Sequence, residues 1–230
     1  MRLAIVIPVL NEADGIEKFL SSLQSMRAAG HEIIIADGGS GDGTAQRAAP
    51  LTDQLIQCPR GRAAQMNAGA ALARGDVLLF LHADCQLPHD SAALILDGLK
   101  HQRRRWGRFD IKLSGDRFMF RVVAWFMNTR SRLTRISTGD QGLFVERALF
   151  ASIGGFPVIA LMEDIAITKR LKQIAAPLCL NATITTSSRR WEKNGVWRTI
   201  WLMWRLRYAY WRGVDPADLA RIYYPQSANG

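Results

Sequence analysis

The chain has 230 residues, of which 48% are hydrophobic, enough to bury the core of one enzyme-sized domain. Thirty Lys and Arg against 20 Asp and Glu give a net charge of +10, which favours polyanions or an anionic membrane surface as partners. The three cysteines are widely spaced without a CxxC pair, which argues against a disulfide framework or a zinc site and fits a cytoplasmic protein.

Strands alternate with helices through the first part of the chain. Short β-branched or leucine-rich runs predict strands over residues 3–9, 32–36 and 77–81, with a further run over residues 55–58. Apolar residues at helical spacing predict one helix that contains Ile16 and Leu23, and another over residues 61–74. This order predicts an α/β fold with a Rossmann-like, mostly parallel sheet flanked by helices, at least to about residue 85.

The pattern loosens after residue 85. A basic run over residues 101–108 separates two halves, an apolar helix is predicted over residues 117–133, and another helix begins near Glu163 and Asp164. The chain ends in an amphipathic helical tail, with a Trp-rich helix over about residues 194–212. No apolar segment reaches the roughly 18 residues of a membrane-spanning helix, so we expect neither a transmembrane span nor a signal peptide.

Two carboxylates follow predicted strands: Asp37 in IIIADGGSGDGT and Asp84 in VLLFLHADCQLP. The carboxyl ends of strands line the ligand crevice of an open α/β sheet, so both acids are expected to face one site. There, one can hold the nucleoside part of a ligand and the other a divalent cation that bridges its phosphates. The plainer interpretation of DGGSGDGT is a flexible turn of small residues.

Candidate phosphate contacts lie in two further segments. In IPVLNE, Pro8 stands at a strand end, and Asn11 and Glu12 lie in the following turn, where backbone donors suit an anion. An ordinary helix N-cap explains the same residues. Arg62 begins the helix of GRAAQMNAGA, where it either meets phosphates bidentately or stays solvated. The same helix carries Asn67, a further candidate for contact with the donor.

Further candidate site residues come later in the chain. Gly139, Asp140 and Gln141 precede a predicted strand, where they either touch a ligand or form a turn. The adjacent Glu163 and Asp164 stand at a helix start, where acids also stabilise the helix dipole.

The motifs IPVLNE, DGGSGDGT, GRAAQMNAGA, LHAD, GGF and MED follow one another in an order that resembles the inverting family 2 glycosyltransferases of glycosyltransferase A-type fold. The resemblance covers roughly residues 3–175. It implies metal-dependent sugar transfer from a nucleotide-sugar donor to an acceptor hydroxyl. Asp37 would bind the nucleoside, Asp84 would bind Mn²⁺ or Mg²⁺, and Asp164 would be the general base. Glu163 would be its orienting neighbour or the reserve base.

The chain departs from the family pattern at two places. Many relatives have two consecutive aspartates where it has Asp37 and Gly38, which removes one contact to the nucleobase. Relatives have Asp-x-Asp where it has His82, Ala83 and Asp84, which leaves one carboxylate for the metal. We expect His82 to pack rather than to pair with a phosphate.

The resemblance divides the chain into a glycosyltransferase domain over residues 1–193 and a helical tail over residues 194–230. Within the domain, residues 1–88 form the nucleotide-binding half and residues 89–193 the acceptor half. The tail, with SSRRWEKNGVWRT and ARIYYP, resembles a bacterial subgroup of small family 2 enzymes named for its genomic association with radical-SAM/selenium-related proteins.

Aromatic side chains recur in the tail at spacings of four, three, four and three. They are Trp197, Trp201, Trp204, Tyr208 and Trp211. Arginines run beside them at positions 198, 205 and 212. Such a face lies in a membrane interface, or it packs on the domain or on a second subunit. The first interpretation predicts a lipid-linked acceptor and a peripheral location on the inner face of the cytoplasmic membrane.

Two other functions fit part of the sequence. The segment from Asp37 to Gly43 matches the DxGxGxG loop of S-adenosylmethionine-dependent methyltransferases. That loop usually follows the first strand, whereas here it follows the second, and HAD and MED would then be unexplained. A non-catalytic basic membrane-binding protein also fits the charge. No RNA-binding motif is evident, so nucleic acid is not an expected partner.

Overall fold

The structure is a computed structural model that describes residues 1–224, so residues 225–230 of the predicted tail lie outside the described part. Its sheet has the strand order β3-β2-β1-β4-β7-β6-β8-β5. The strands are β1 (Leu3–Val9), β2 (Glu32–Asp37), β3 (Gln54–Gln57), β4 (Val77–Phe80), β5 (Cys85–Gln86), β6 (Trp106–Leu113), β7 (Leu143–Glu146) and β8 (Leu178–Thr186).

The strands β1, β2, β3 and β4 pair in parallel with one another, as the sequence predicted. β1 lies between β2 and β4, and β3 pairs with the outer side of β2. Successive residues of β1 enter two different cores, with Leu3 and Ile5 in one and Ala4 and Val6 in the other. This explains why the strand is apolar throughout: helices cover both faces of the sheet.

The later strands extend the same sheet in mixed directions. β7 pairs antiparallel with β4 and with β6, and β8 runs parallel to β6. β6 begins inside the basic run over residues 101–108. Arg108 in β6 is 1% exposed and forms an ion pair with Asp110. Its guanidinium also donates to the carbonyl oxygens of Phe109 and Asn128, at 3.1 and 3.3 Å.

Eleven α-helices lie within the described part of the chain. They are α1 (Ile16–Ser22), α2 (Gln24–Ala28), α3 (Thr44–Ala48), α4 (Arg62–Leu72), α5 (Ser91–His101), α6 (Phe118–Thr134), α7 (Arg147–Ser152), α8 (Glu163–Ile174), α9 (Arg189–Asn194), α10 (Val196–Trp211) and α11 (Pro216–Tyr223). The Trp-rich helix is confirmed as α10, and Gly195, at φ +79°, separates it from α9. None of the helices within residues 1–224 combines the length and apolar character that crossing a bilayer requires.

The tail packs on the loop that precedes α8. Leu206 of α10 and Leu219 of α11 are each 1% exposed and form a core cluster with Ile136, Leu161 and Met162. The opposite face of α10 carries the aromatic stripe, whose five rings are 60–74% exposed. The alternative in which this stripe packs on the catalytic domain is therefore wrong.

Candidate active site

The end of β2 and the turn after β1 form one interlocked loop pair. Asp37 is fully buried, and its carboxylate accepts hydrogen bonds from the backbone N and the Oγ of Ser40, the latter at 2.5 Å. Asn11 donates its backbone N–H to Ser40 Oγ at 2.9 Å and accepts from the Gly41 N–H at 3.0 Å. The two predicted nucleotide-contacting segments therefore lie side by side at the carboxyl end of the sheet.

Gln65 of α4 is a structural residue that the sequence reasoning missed. Its Nε2 donates to the carbonyl oxygens of Val9 and Ala36, at 2.8 and 2.9 Å, and so joins the ends of β1 and β2. A Cβ at Gly38 would lie 3.1 Å from the Gln65 side chain. The absent second aspartate thus has a physical reason, because the Gln65 amide fills the space beside Gly38.

Asp84 follows β4 and its side chain is exposed, as a carboxylate that shares a cation with a ligand must be. Glu12 lies near it, since burial and then the charge of Asp84 raise the pKa of Glu12. Within residues 1–224, no three His, Cys, Asp or Glu side chains converge to hold a metal ion. The donor set nevertheless fits Mn²⁺ or Mg²⁺, whose remaining ligands would be phosphate and water oxygens.

Arg62 begins α4 beside this acidic site, as the sequence predicted. The pKa of Arg62 lies above its ordinary value, although loss of hydration lowers it. The groups that raise it are Tyr224, Glu163, Asp164 and Asp84. Arg62 therefore stands between the acid after β4 and the acid pair of α8, in position for the phosphates of a ligand.

His82 packs against the turn that precedes β7. A Cβ at Gly139 would lie 2.7 Å from His82 Cε1, so only glycine fits beside the ring. Burial, and then the charge of Arg62, lower the pKa of His82 to about 4. The imidazole is therefore neutral at pH 7, which agrees with the expected packing role.

The acid pair begins α8 and faces the same crevice. Asp164 is partly exposed, and its Oδ2 accepts the backbone N–H of Gly139 at 2.9 Å. Its charge acts on the groups around it, among them Arg62, His82, Asp140 and Arg207. Asp164 therefore lies near both Arg62 and Arg207.

Glu163 is more deeply buried than Asp164, although both acids line the same small cavity. It is 6% exposed and lines a cavity of about 10 Å³ with Met66, Phe80 and Phe156, among others. Burial, and then the charge of Asp164, raise the pKa of Glu163 to about 7. The Glu163 carboxyl is thus protonated over part of the neutral pH range, whereas an unfolded chain would leave it ionised.

We expect Glu163 to make the folded state less stable as the pH rises. The pKa of Glu163 is higher in the folded than in the unfolded state, so the folded state binds its proton more tightly. The free energy that this proton contributes to folding is fully present below about pH 4.5 and is lost as the pH rises through about 7. Glu163→Gln should therefore raise the melting temperature more at pH 8 than at pH 5. The gain in the free energy of unfolding from Glu163→Gln should be larger at pH 8 than at pH 5 by on the order of 2 kcal/mol. Glu17→Gln, an exposed control, should show no such trend, and a parallel trend in both variants would contradict the assignment.

The remaining predicted site residues have defined contacts. Pro8 lies one residue before the end of β1, in register with Ala36. The Asn67 side chain bonds both the backbone O and N–H of Phe156, at 2.8 and 2.9 Å, which ties α4 to the GGF loop. Gln141 is fully buried, and its Oε1 accepts from the Thr138 N–H at 3.1 Å. Ligand contacts by these three residues stay predictions.

These candidate residues are carried by a mixed α/β sheet flanked by helices. Residues 4–150 match Glycosyl transferase family 2, and the chain belongs to that family. The predicted glycosyltransferase A-type fold and enzyme class are therefore confirmed, and the methyltransferase and non-catalytic alternatives are set aside. The narrower bacterial subgroup suggested by the tail stays a prediction.

Two curated relatives illustrate the range of the family. Glycosyltransferase AglE of Haloferax volcanii is 34% identical over 95 residues, which are 37% of this chain and 31% of that protein. A PGL/p-HBAD biosynthesis glycosyltransferase of Mycobacterium tuberculosis is 29% identical over 177 residues, or 66% of this chain and 62% of that protein. The chain thus covers less than two thirds of the length of either relative.

Solved structures share the fold at low identity. TarS of S. aureus in complex with UDP-GlcNAc has a TM-score of 0.68 and 18% identity, over 81% of this chain and 58% of that chain. The mannosyltransferase PcManGT from Pyrobaculum calidifontis, in complex with GDP-Man and Mn²⁺, has a TM-score of 0.62 and 21% identity. The match covers 90% of this chain and 61% of that chain.

Proposed function

We propose that the chain transfers a sugar from a nucleotide-sugar donor to an acceptor hydroxyl, with inversion at the anomeric carbon and with Mn²⁺ or Mg²⁺. The observation that carries this proposal is that the charges of Asp84 and Asp164, which lie on separate elements, both act on Arg62 at the start of α4. Neighbouring structures contain UDP-GlcNAc, GDP-Man and Mn²⁺, which supports a nucleoside diphosphate sugar and a divalent ion.

The residues divide the work of one displacement step. Asp37 orients the nucleoside and Arg62 binds the diphosphate. Asp84 would hold the cation, which would supply positive charge beside the leaving diphosphate. Asp164 accepts the acceptor hydroxyl proton while its oxygen bonds to the anomeric carbon. The bond between that carbon and the diphosphate breaks on the opposite face, and the nucleoside diphosphate leaves.

A thermal-shift panel tests the donor class. UDP-, GDP- and dTDP-sugars are compared with and without Mn²⁺ or Mg²⁺, and S-adenosylmethionine is included as the alternative cofactor. A donor at a hundred times its dissociation constant adds about 2.7 kcal/mol of stability. We expect metal-dependent stabilisation by at least one nucleotide sugar. Stabilisation by S-adenosylmethionine alone would overturn the proposal.

The proposal includes an anionic membrane surface and a lipid-linked acceptor. Support comes from the exposed rings of α10 and from Arg198, Arg205 and Arg212, which are also exposed. α6 packs against α10 and exposes Phe118, Trp125 and Phe126 as well, each by at least 60%. Aromatic rings at headgroup depth with arginines beside anionic lipid are typical of interfacial helices. The chain would then act peripherally at the inner face of the cytoplasmic membrane.

Replacing Trp201 and Trp204 together with Ser should reduce co-sedimentation with anionic liposomes and leave the melting temperature nearly unchanged, because both rings are exposed. Salt at about 0.5 M should weaken binding of the parent, since the Debye length falls below about 5 Å. Ile174→Ser, which changes an exposed apolar residue of α8, is the control. Absence of liposome binding by the parent would contradict the proposal. If the parent proved to be a dimer and the variant a monomer, the aromatic face would instead be assigned to a contact with a second subunit.

A further inference from the structure

The arginines around the crevice fall into two groups. Arg62 and Arg190 share Asp84 as an electrostatic neighbour, so they lie on the proposed diphosphate side. Arg130 near the end of α6 and Arg207 in α10 instead share Asp140 and Asp164 as neighbours. The second pair therefore lies beside the proposed base, where the acceptor would enter.

Neither guanidinium of this second pair has a hydrogen-bond or ion-pair partner within residues 1–224. Both side chains are partly buried, and Nη2 of Arg130 is completely enclosed without a partner. The buried Arg108 pairs with Asp110 and donates to two backbone carbonyls, and only its Nε is enclosed without a partner in the described chain. Arg130 and Arg207 have no such ion pair or side-chain hydrogen bond within residues 1–224, although burial makes their charge costly.

Other buried polar atoms beside this pair are also unsatisfied. Asp140 Oδ1 and Gln141 Nε2 have no partner within the described chain, and both belong to the turn over Gly139–Gln141 that bonds Asp164. The unsatisfied set thus contains two cationic donors, an amide donor and a carboxylate acceptor. A ligand that carries both an anionic group and a hydroxyl complements this set.

Electrostatics agree with this geometry. Burial lowers the pKa of Arg130 to about 10 and also lowers that of Arg207, whereas the charges of Asp140 and Asp164 raise both. Burial likewise raises the pKa of Asp140. A bound phosphate or carboxylate would supply bidentate acceptors for both guanidinium groups.

We propose that the acceptor carries an anionic group, a phosphate or a carboxylate, which Arg130 and Arg207 bind while the acceptor hydroxyl lies at Asp164. This inference rests on the proposed function, because it assigns the acceptor side of the same crevice. It defines the acceptor by chemistry: a hydroxyl compound with a negative charge close to the reacting oxygen, either soluble or in a lipid headgroup.

The experiment measures binding of glycerol 3-phosphate and of glycerol to the full chain, with the diphosphate side first saturated by nucleoside diphosphate and Mn²⁺. Titrations compare the parent, Arg130→Gln, Arg207→Gln and the control Arg121→Gln, which changes an exposed arginine of the same helix α6. A second arm replaces the soluble probe by vesicles of phosphatidylcholine with or without phosphatidic acid. Acceptor-independent hydrolysis of a nucleotide sugar by the parent is measured separately and reports on the proposed function alone.

We expect glycerol 3-phosphate to bind at least tenfold more tightly than glycerol, and each variant of the pair to lose at least tenfold in affinity. Arg121→Gln should bind like the parent. Binding confined to the phosphatidic acid vesicles, with the same loss in both variants, would assign the anion to a lipid headgroup. Equal binding of both soluble probes without a vesicle effect, or equal affinities in Arg130→Gln and Arg121→Gln, would overturn the inference even where donor hydrolysis is intact.

Discussion

Asp164→Asn should retain donor binding and lose sugar transfer by about a hundredfold or more, the loss expected for a general base. The amide oxygen can still accept the Gly139 N–H that Asp164 Oδ2 accepts at 2.9 Å, so the turn should keep its position. The amide cannot take a proton from the acceptor hydroxyl. A fall in kcat with little change in donor affinity is the expected result.

Glu163→Gln is the matched comparison, because it changes the neighbouring acid in the same way. Both acids line the same small cavity, but Glu163 is the more buried one, and its raised pKa leaves it partly protonated near pH 7. We expect a smaller loss of transfer from Glu163→Gln. Near-normal transfer by Asp164→Asn together with a hundredfold loss in Glu163→Gln would exchange the two roles.

Asp84→Asn should abolish metal-dependent donor binding and leave the fold intact. The change removes the charge that holds the cation without altering the size of an exposed side chain. Calorimetric titration of donor with and without Mn²⁺ measures the effect. Asp97→Asn, at an exposed position of α5, is the control and should bind like the parent. Undiminished metal-dependent affinity in Asp84→Asn would remove this residue from the site.

The sequence predicted the parallel part of the fold well because its strands are buried on both faces. Uninterrupted apolar runs such as Leu3–Val9 and the acids that follow them need no long-range information to be recognised. α6 and α10 were also predicted to within a few residues from their helical spacing. Asp37, Asp84 and Asp164 were found because each directly follows such an element or lies at its start.

The second half was harder to predict because tertiary contacts determine it. β6 contains Arg108 and Asp110, two charges that interrupt an apolar pattern. They are accommodated by pairing with each other, by the ion pair of Asp110 with Arg132, and by hydrogen bonds from Arg108 to backbone carbonyls. Gln65, Arg130 and Arg207 resemble solvated residues of helices, and only the packing of distant segments brings them to the crevice. The exposure of the aromatic stripe could not be predicted either, because it depends on a tertiary contact: the loop before α8 packs on the opposite face of α10.

The most direct test of the account is turnover of the same nucleotide-sugar panel without any acceptor, followed by proton NMR. We predict that at least one donor releases nucleoside diphosphate and a sugar whose first-formed anomer is inverted, that Mn²⁺ or Mg²⁺ is required, and that Asp84→Asn abolishes the release. Retention of the anomeric configuration would contradict the single displacement at Asp164. Failure of every donor both to bind and to react would contradict the assignment of this crevice to nucleotide-sugar transfer.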